Sequence, residues 1–290
     1  MQLLIYLLLY PILWLISILP FPIFYLFSDF VYFLTYNLIG YRKKVVRANI
    51  ALALPHLSEK ERLNIEKKFY SHLCDMFLEM IKTLTISQKE VEKRFTFTNL
   101  EVYHELEKQN KSIALLCAHY ASYEWVVSMN YHITYKGFGI YKKIANPYFD
   151  KLVKQIRSKF KAALITTKET IPTIAENHKQ GILCLYGFAS DQSPKKNAAY
   201  HWAPFMGHIV PVHTGAEMLA KRFDMNVIFL RTKKIKRGYY EASFELLSND
   251  AKSVPNYDIT DRFLQLVEEQ IHEAPEFYLW THKRWKYMKN

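Results

Sequence analysis

Cysteine is scarce in this chain of 290 residues, with only Cys74, Cys117 and Cys184. Three cysteines cannot close a disulfide set and no two stand at metal-ligand spacing. A disulfide scaffold and a Cys-rich zinc site are therefore excluded, and a reducing compartment is favoured over secretion. Glycine is equally sparse at 8 residues. No P-loop, G-x-G-x-x-G, G-x-S-x-G or H-E-x-x-H occurs, which removes the common nucleotide-binding, hydrolase-elbow and zinc-protease signatures. Acidic residues are outnumbered, 27 Asp and Glu against 39 Lys and Arg, giving a formal charge of +12. That surplus points to a polyanionic partner, whether nucleic acid, an anionic membrane, a phosphorylated lipid or an acidic protein. A chain that is 50% hydrophobic and 16% aromatic is not disordered.

Charge is also missing where it is most informative. No charged side chain occurs from Met1 to Ser28, and Asp29 is the first. Leu3–Leu19 is nearly all Leu, Ile, Tyr and Trp, and a second uncharged run, Phe30–Tyr41, follows. A bilayer core needs roughly 20 apolar helical residues, so this start is long enough to enter one. Pro11, Pro20 and Pro22 argue against a single straight helix. Without a basic n-region or an A-x-A-like cleavage site, the segment reads as a retained anchor and not as a secretory signal. Arg42, Lys43, Lys44 and Arg47 form a basic cluster at its exit, which places the remaining chain on the cytoplasmic side. The expected organisation is an anchor over residues 1–40 and one domain over 41–290. Nucleic acid is not expected as the partner.

Beyond the anchor, periodicity alternates between strand and helix. A capping box, Ser58 with Glu61, opens a helix over 58–86. Short apolar runs predict strands at 112–117, 137–141, 162–166, 182–186, 227–232 and 239–247. Helices are predicted at 121–131, 147–160, 170–180, 214–223 and 259–273. The pattern predicts an α/β fold whose central sheet is largely parallel, with one antiparallel part, flanked by helices behind an N-terminal helical anchor.

Among chemistry-bearing motifs, one H-x4-E stands out. His119 and Glu124 follow the apolar strand SIALLC, at the strand edge where ligand sites of α/β sheets concentrate. The same spacing at His56 and Glu61 falls on the polar start of a helix, where both are expected to be solvated. At a strand-to-helix turn, Glu124 can reach back to His119, and a carboxylate on one imidazole nitrogen raises the basicity of the other. The bland alternative is a structural His–Glu pair. Ser122 lacks the elbow glycines that a serine nucleophile needs.

The chain resembles the late acyltransferases of lipid A biosynthesis, the lauroyl- and myristoyl-transferring family within the lysophospholipid acyltransferase superfamily. The resemblance rests on the apolar start, Tyr41-Arg-Lys-Lys-Val-Val-Arg-Ala-Asn49, and the H-x4-E at His119 and Glu124. It continues through Tyr141-Lys142, Arg157, Asp191-Gln192, the Ala203–Gly207 block and the ending Trp280-Thr-His282-Lys-Arg284-Trp-Lys286. Departures are Lys142 in place of arginine, Lys161 in place of glycine, and Ser122-Tyr123 inside the H-x4-E. The resemblance implies a glycerolipid acyltransferase-like fold and transfer of an acyl chain from a thioester, on acyl carrier protein or acyl-CoA, to a hydroxyl of a lipid A precursor. His119 would be the general base and Glu124 its orienting carboxylate. Lys142, Arg157, Asp191 and Gln192 would bind substrate, the cations meeting phosphate. The window 140–168 carries eight basic residues against Asp150 alone. No metal and no cofactor is implied. The partners would be the donor, a phosphorylated glycolipid acceptor and the inner (cytoplasmic) membrane. The alternatives are an aminolipid or phospholipid acceptor, or a non-catalytic, membrane-tethered basic module.

Overall fold

Side-chain caps from Ser58, Ser87 and Asn146 open three of the helices. A computed structural model of the chain describes residues 1–289, so only the last residue of the expected 41–290 domain lies outside it. The chain opens with α1 (Gln2–Ile18), α2 (Phe21–Phe33) with a π-helical continuation at Leu34–Ile39, α3 (Lys43–Ala53) and α4 (Glu59–Lys82). Next come α5 (Gln88–Arg94), β1 (Phe95–Phe97), α6 (Leu100–Glu107), β2 (Ile113–Cys117) and β3 (Lys136–Tyr141). Then follow α7 (Pro147–Ser158), β4 (Ala163–Thr166), α8 (Thr170–Lys179), β5 (Cys184–Ala189), β6 (His201–Phe205) and β7 (His208–Val212). The chain ends with α9 (Gly215–Arg222), β8 (Asn226–Lys236), β9 (Tyr239–Ser248) and α10 (Asp258–Glu273).

Seven strands make the main sheet in the order β1-β9-β8-β2-β5-β3-β4. From β8 to β4 all neighbours are parallel, β9 returns antiparallel on β8, and β1 runs parallel to β9. This is the mostly parallel, helix-flanked sheet that the alternation predicts. The central strand β2 is buried along Ile113–Leu116, which explains its unbroken apolar reading. The predicted capping box is present: Ser58 Oγ accepts from the Glu61 amide and Glu61 accepts from the Ser58 amide.

Two local readings change for physical reasons. The strand expected at 182–186 begins at Cys184 because Gly181 ends α8 in a left-handed turn (φ 68°), and Ile182 N–H donates to Asn177 O. Those bonds form a Schellman closure that consumes Ile182. The helix expected at 121–131 is reduced to a 3₁₀ segment, Trp125–Tyr131, because Ala121 takes φ 49° and breaks helical continuity. The Ala203–Gly207 block closes the separate β6–β7 hairpin, with Met206 and Gly207 both at positive φ as a two-residue primed turn requires.

The first 40 residues are docked on the domain. Phe21–Ile39 is helical, long enough and apolar enough (mean hydropathy 1.2) to cross a membrane by length and composition. Yet its polar edge runs antiparallel along α4. Tyr25 Oη donates to Glu79 (2.8 Å), Ser28 Oγ to Asp75 (2.7 Å) and Tyr36 Oη to Glu66 (3.0 Å). From the β8–β9 turn, Arg237 donates to both Asp75 (2.7 Å) and Asp29 (2.6 Å). Asp75 is 1% exposed, so removing its carboxylate strands Lys234 and Arg237 beside an unpaired seam. Asp75→Ala is expected to cost about 3 kcal/mol or more, read as a lowered urea midpoint of the detergent-solubilised protein.

Candidate active site

Strand register brings together two residues that lie far apart in sequence. In the parallel pair β2 and β5, Cys117 stands opposite Ala189. Two residues beyond each lie His119 and Asp191, side by side above the carboxyl edge of the sheet. Asp191 Oδ1 accepts from the His119 amide at 3.1 Å and sits 2.7 Å from its ring Nδ1. Asp191 has no exposed surface, whereas the His119 side chain keeps 20%. A carboxylate on Nδ1 assigns the proton to that nitrogen and leaves Nε2 as the acceptor.

The electrostatics agree with this assignment. Burial works to lower the imidazole pKa, but the charge and hydrogen bond of Asp191, with a contribution from Glu124, hold it above the ordinary value. For Asp191, burial works upward and is outweighed by the His119 charge and the two bonds from His119, so its carboxyl titrates below its usual range. Cys117, at the end of β2, is pushed up to about 12 by burial and then by Asp191, which keeps it a neutral thiol.

The expected contact between His119 and Glu124 is not made. Both Glu124 oxygens are engaged by Arg157 of α7, from Nε at 2.8 Å and from Nη2 at 2.6 Å. Glu124 acts on His119 only through its charge; the carboxylate that orients the ring is Asp191, which the sequence reading had placed at the acceptor pocket. Arg157, expected to be free for phosphate, is committed to Glu124, with 22% of its side chain exposed. Lys142 lies exposed just past β3 and Gln192 is half-buried beside Asp191. Tyr123 stacks edge-on against the His119 ring at 5.0 Å. Ser122 is fully buried and its Oγ has no hydrogen-bond partner among the described residues, which is no setting for a nucleophile.

A second ring of residues fixes this turn, and sequence reasoning missed their roles. The Ala121 amide donates to Phe277 O (2.9 Å), and His119 O accepts from the Leu279 amide (3.1 Å). The C-terminal segment also grips the Asp191 loop. His282 Nε2 accepts from the Ser193 amide (3.1 Å), and Ser193 Oγ donates to Arg284 O (2.6 Å). Burial, reinforced by Arg284 against the opposing charge of Asp191, pushes His282 down to about 4, so it accepts as a neutral ring. Arg284, 1% exposed, reaches Pro211 O of the β6–β7 hairpin at 2.9 Å. Asn49 Nδ2 donates to the Trp280 and His282 carbonyls (2.8 and 2.6 Å). For Asn49, His282 and Arg284 the sequence signal was membership of the Tyr41–Asn49 and Trp280–Lys286 blocks; Ser193, Phe277 and Leu279 carried none.

Two openings flank the turn. A small opening beside His119, with a volume of about 10 Å3, is walled by Phe69, Leu73 and Met76 of α4, with Tyr123 and Leu279. A larger cleft of about 370 Å3 reaches from Tyr120 to Arg231, Lys233 and Lys234. Its cations are paired in place, with Glu269 (2.6 Å), Glu273 (3.5 Å) and Asp75 (3.7 Å).

Residues 1–287 match the family described as bacterial lipid A biosynthesis acyltransferase. The chain is 23% identical over 282 residues to a lipid A biosynthesis lauroyltransferase of Escherichia coli K12, covering 95% of this chain and 89% of the relative. It is 26% identical over 278 residues to a lipid A biosynthesis acyltransferase of Haemophilus influenzae Rd, covering 92% and 86%. An end-to-end family match, on a mostly parallel sheet with a histidine poised at its carboxyl edge, makes this chain an acyltransferase and a member of the bacterial lipid A biosynthesis acyltransferase family.

Proposed function

We propose that this enzyme moves a fatty acyl chain from a thioester, on acyl carrier protein or coenzyme A, to a hydroxyl of a phosphorylated lipid A precursor. The reaction would take place at the cytoplasmic face of the inner membrane, with His119 as general base. The observation that carries the reading is the 2.7 Å bond from His119 Nδ1 to the fully buried Asp191, which leaves Nε2 free and basic. Nε2 takes the proton of the acceptor hydroxyl as its oxygen attacks the thioester carbonyl carbon. The tetrahedral oxyanion collapses, the carbon–sulfur bond breaks, and the imidazolium returns the proton to the departing thiolate. Asp191 holds the ring and stabilises its cationic form, the part that the H-x4-E spacing had suggested for Glu124.

Glu124 and Arg157 form a fixed ion pair across the His119 turn, and we assign them to shaping the site. We assign the apolar wall of Phe69, Leu73 and Met76 on α4 beside His119 to contact with methylene groups of the acyl chain. We assign the exposed Lys142, with Lys143, Lys151 and Lys154, to the acceptor phosphates, and the half-buried Gln192 beside Asp191 to the acceptor as well.

His119→Ala is expected to reduce transfer by roughly 10²- to 10⁴-fold while membrane association is retained. Near-normal turnover of that variant with acyl-thioester and lipid A precursor would overturn the mechanism. Mass spectrometry of lipid A from a deletion strain should show a species one acyl chain lighter, restored by the wild-type gene but not by His119→Ala.

The base must be neutral to act, so the rate should rise with pH through the His119 pKa. Because the folded value is raised, the midpoint should lie above the ordinary value of about 6.5. Asp191→Asn removes the charge that raises it. That variant should move the ascending limb to lower pH and lower the plateau, so a limb unchanged in position would separate Asp191 from His119 function.

A further inference from the structure

Residues 1–40 have the length and apolarity of a membrane span, but their contacts are those of a structural layer of the domain. α1 is held at both ends. Near its start, Tyr6 stacks on Tyr148 of α7 with ring centroids 5.7 Å apart. At its end, Lys82 of α4 donates to the Ser17 and Leu19 carbonyls (2.7 and 2.5 Å) and Thr85 donates to Ser17. A helix that touches the same domain near both ends lies along that domain and does not depart from it. At 17 residues it is about 26 Å long, short of a hydrocarbon core of about 30 Å, and Pro11 inside it removes one backbone donor.

The longer stretch, Phe21–Ile39, is held more firmly. Tyr25, Ser28 and Tyr36 meet Glu79, Asp75 and Glu66 in turn along α4, and Arg237 closes the seam onto Asp29. The three acids on α4 are each 1% exposed. If this helix crossed the bilayer, either α4 would enter with its carboxylates or every one of these bonds would break.

The opposite faces are apolar and unpartnered. Of the 27 exposed large hydrophobic side chains among the described residues, 18 fall within residues 1–41. Tyr6, Tyr10, Leu13 and Ser17 form the inward edge of α1, and most of the rest of that helix is open. Exposed cations follow these helices: Arg42 and Lys44 come directly after the α2 stretch, and Lys151 and Lys154 lie on α7, the helix whose Tyr148 meets Tyr6. An apolar face rimmed by lysine and arginine is complementary to one anionic leaflet, with acyl tails below and headgroup phosphates at the edge.

We propose that residues 1–40 seat the enzyme in a single leaflet as an in-plane helical pair and do not span the bilayer. The proposal rests on the reading that the enzyme works at the cytoplasmic face of the inner membrane. It adds that the apolar wall of α4 beside His119 is held at the depth of that leaflet by α2.

The test uses the full-length protein in inner membranes, with a protease-cleavable tag ahead of Met1 and, separately, Ile18→Cys, an exposed position before the α1–α2 turn. Protease should remove the tag completely in inside-out vesicles and leave it intact in spheroplasts. A membrane-impermeant maleimide added to spheroplasts should leave Ile18→Cys unlabelled. Cleavage of the tag in spheroplasts would reveal a single span, labelling of Ile18→Cys there would reveal a two-span hairpin, and recovery of the protein in the soluble fraction would remove the membrane altogether. Each of these three results overturns the proposal. His119→Ala should give the same topology as wild type. An in-plane result with unchanged lipid A in the deletion strain would sink the functional reading alone.

Discussion

A carboxylate with no exposed surface, Asp191, is the constraint around which the site is organised. An isolated buried charge costs several kcal/mol, and that cost is offset only by close, well-aligned partners. Here the amide and the ring of a single residue, His119, supply two of them. The parallel register of β2 and β5 makes this possible, because it sets positions 119 and 191 opposite one another without a long side chain or an irregular loop. The buried charge in turn acts on its surroundings. It raises the His119 imidazole, holds Cys117 as a thiol and pushes the buried Tyr278 phenol further above its ordinary value than burial alone.

Helix α4 ties the His119 site to the apolar N-terminal helices. One of its faces presents Phe69, Leu73 and Met76 to the pocket beside His119, and another presents Glu66, Asp75 and Glu79 to α2. A rigid helix with a catalytic wall on one side and a polar seam on the other fixes the distance between them. The pairing of Arg157 with Glu124 adds a second rigid element across the turn. The site is therefore framed by elements already satisfied among themselves, which lowers the reorganisation needed when substrate arrives.

Much of this was legible in the sequence where the signal is local. Ser58 with Glu61, Pro147 and Gly181 each announce a helix end through chemistry confined to a few residues, and each is found there. His119 was legible because an apolar strand stops just before it. Its partner was not, because the pairing runs through a strand register joining residues 72 positions apart, and Glu124 offered a nearer carboxylate. Nothing local reveals that Arg157 claims Glu124. The docking of α1 and α2 was hidden for a related reason. Asp75 and Glu79 read as ordinary polar positions on an amphipathic helix, and only the folded chain shows that they face tyrosine, serine and arginine. The strand expected at Ile182 failed by two residues because the helix closure before it uses one more residue than periodicity reveals.

The segment 277–284 has a temporal consequence as well as a geometric one. It donates to the His119 carbonyl, accepts from the Ala121 and Ser193 amides, and takes two bonds from Asn49. Within the described residues this segment follows every other part of the site in the chain, so the His119 turn can be clamped only after β2 and β5 have both been made. The geometry of the turn is therefore completed late, by a stretch far in sequence from the histidine it holds.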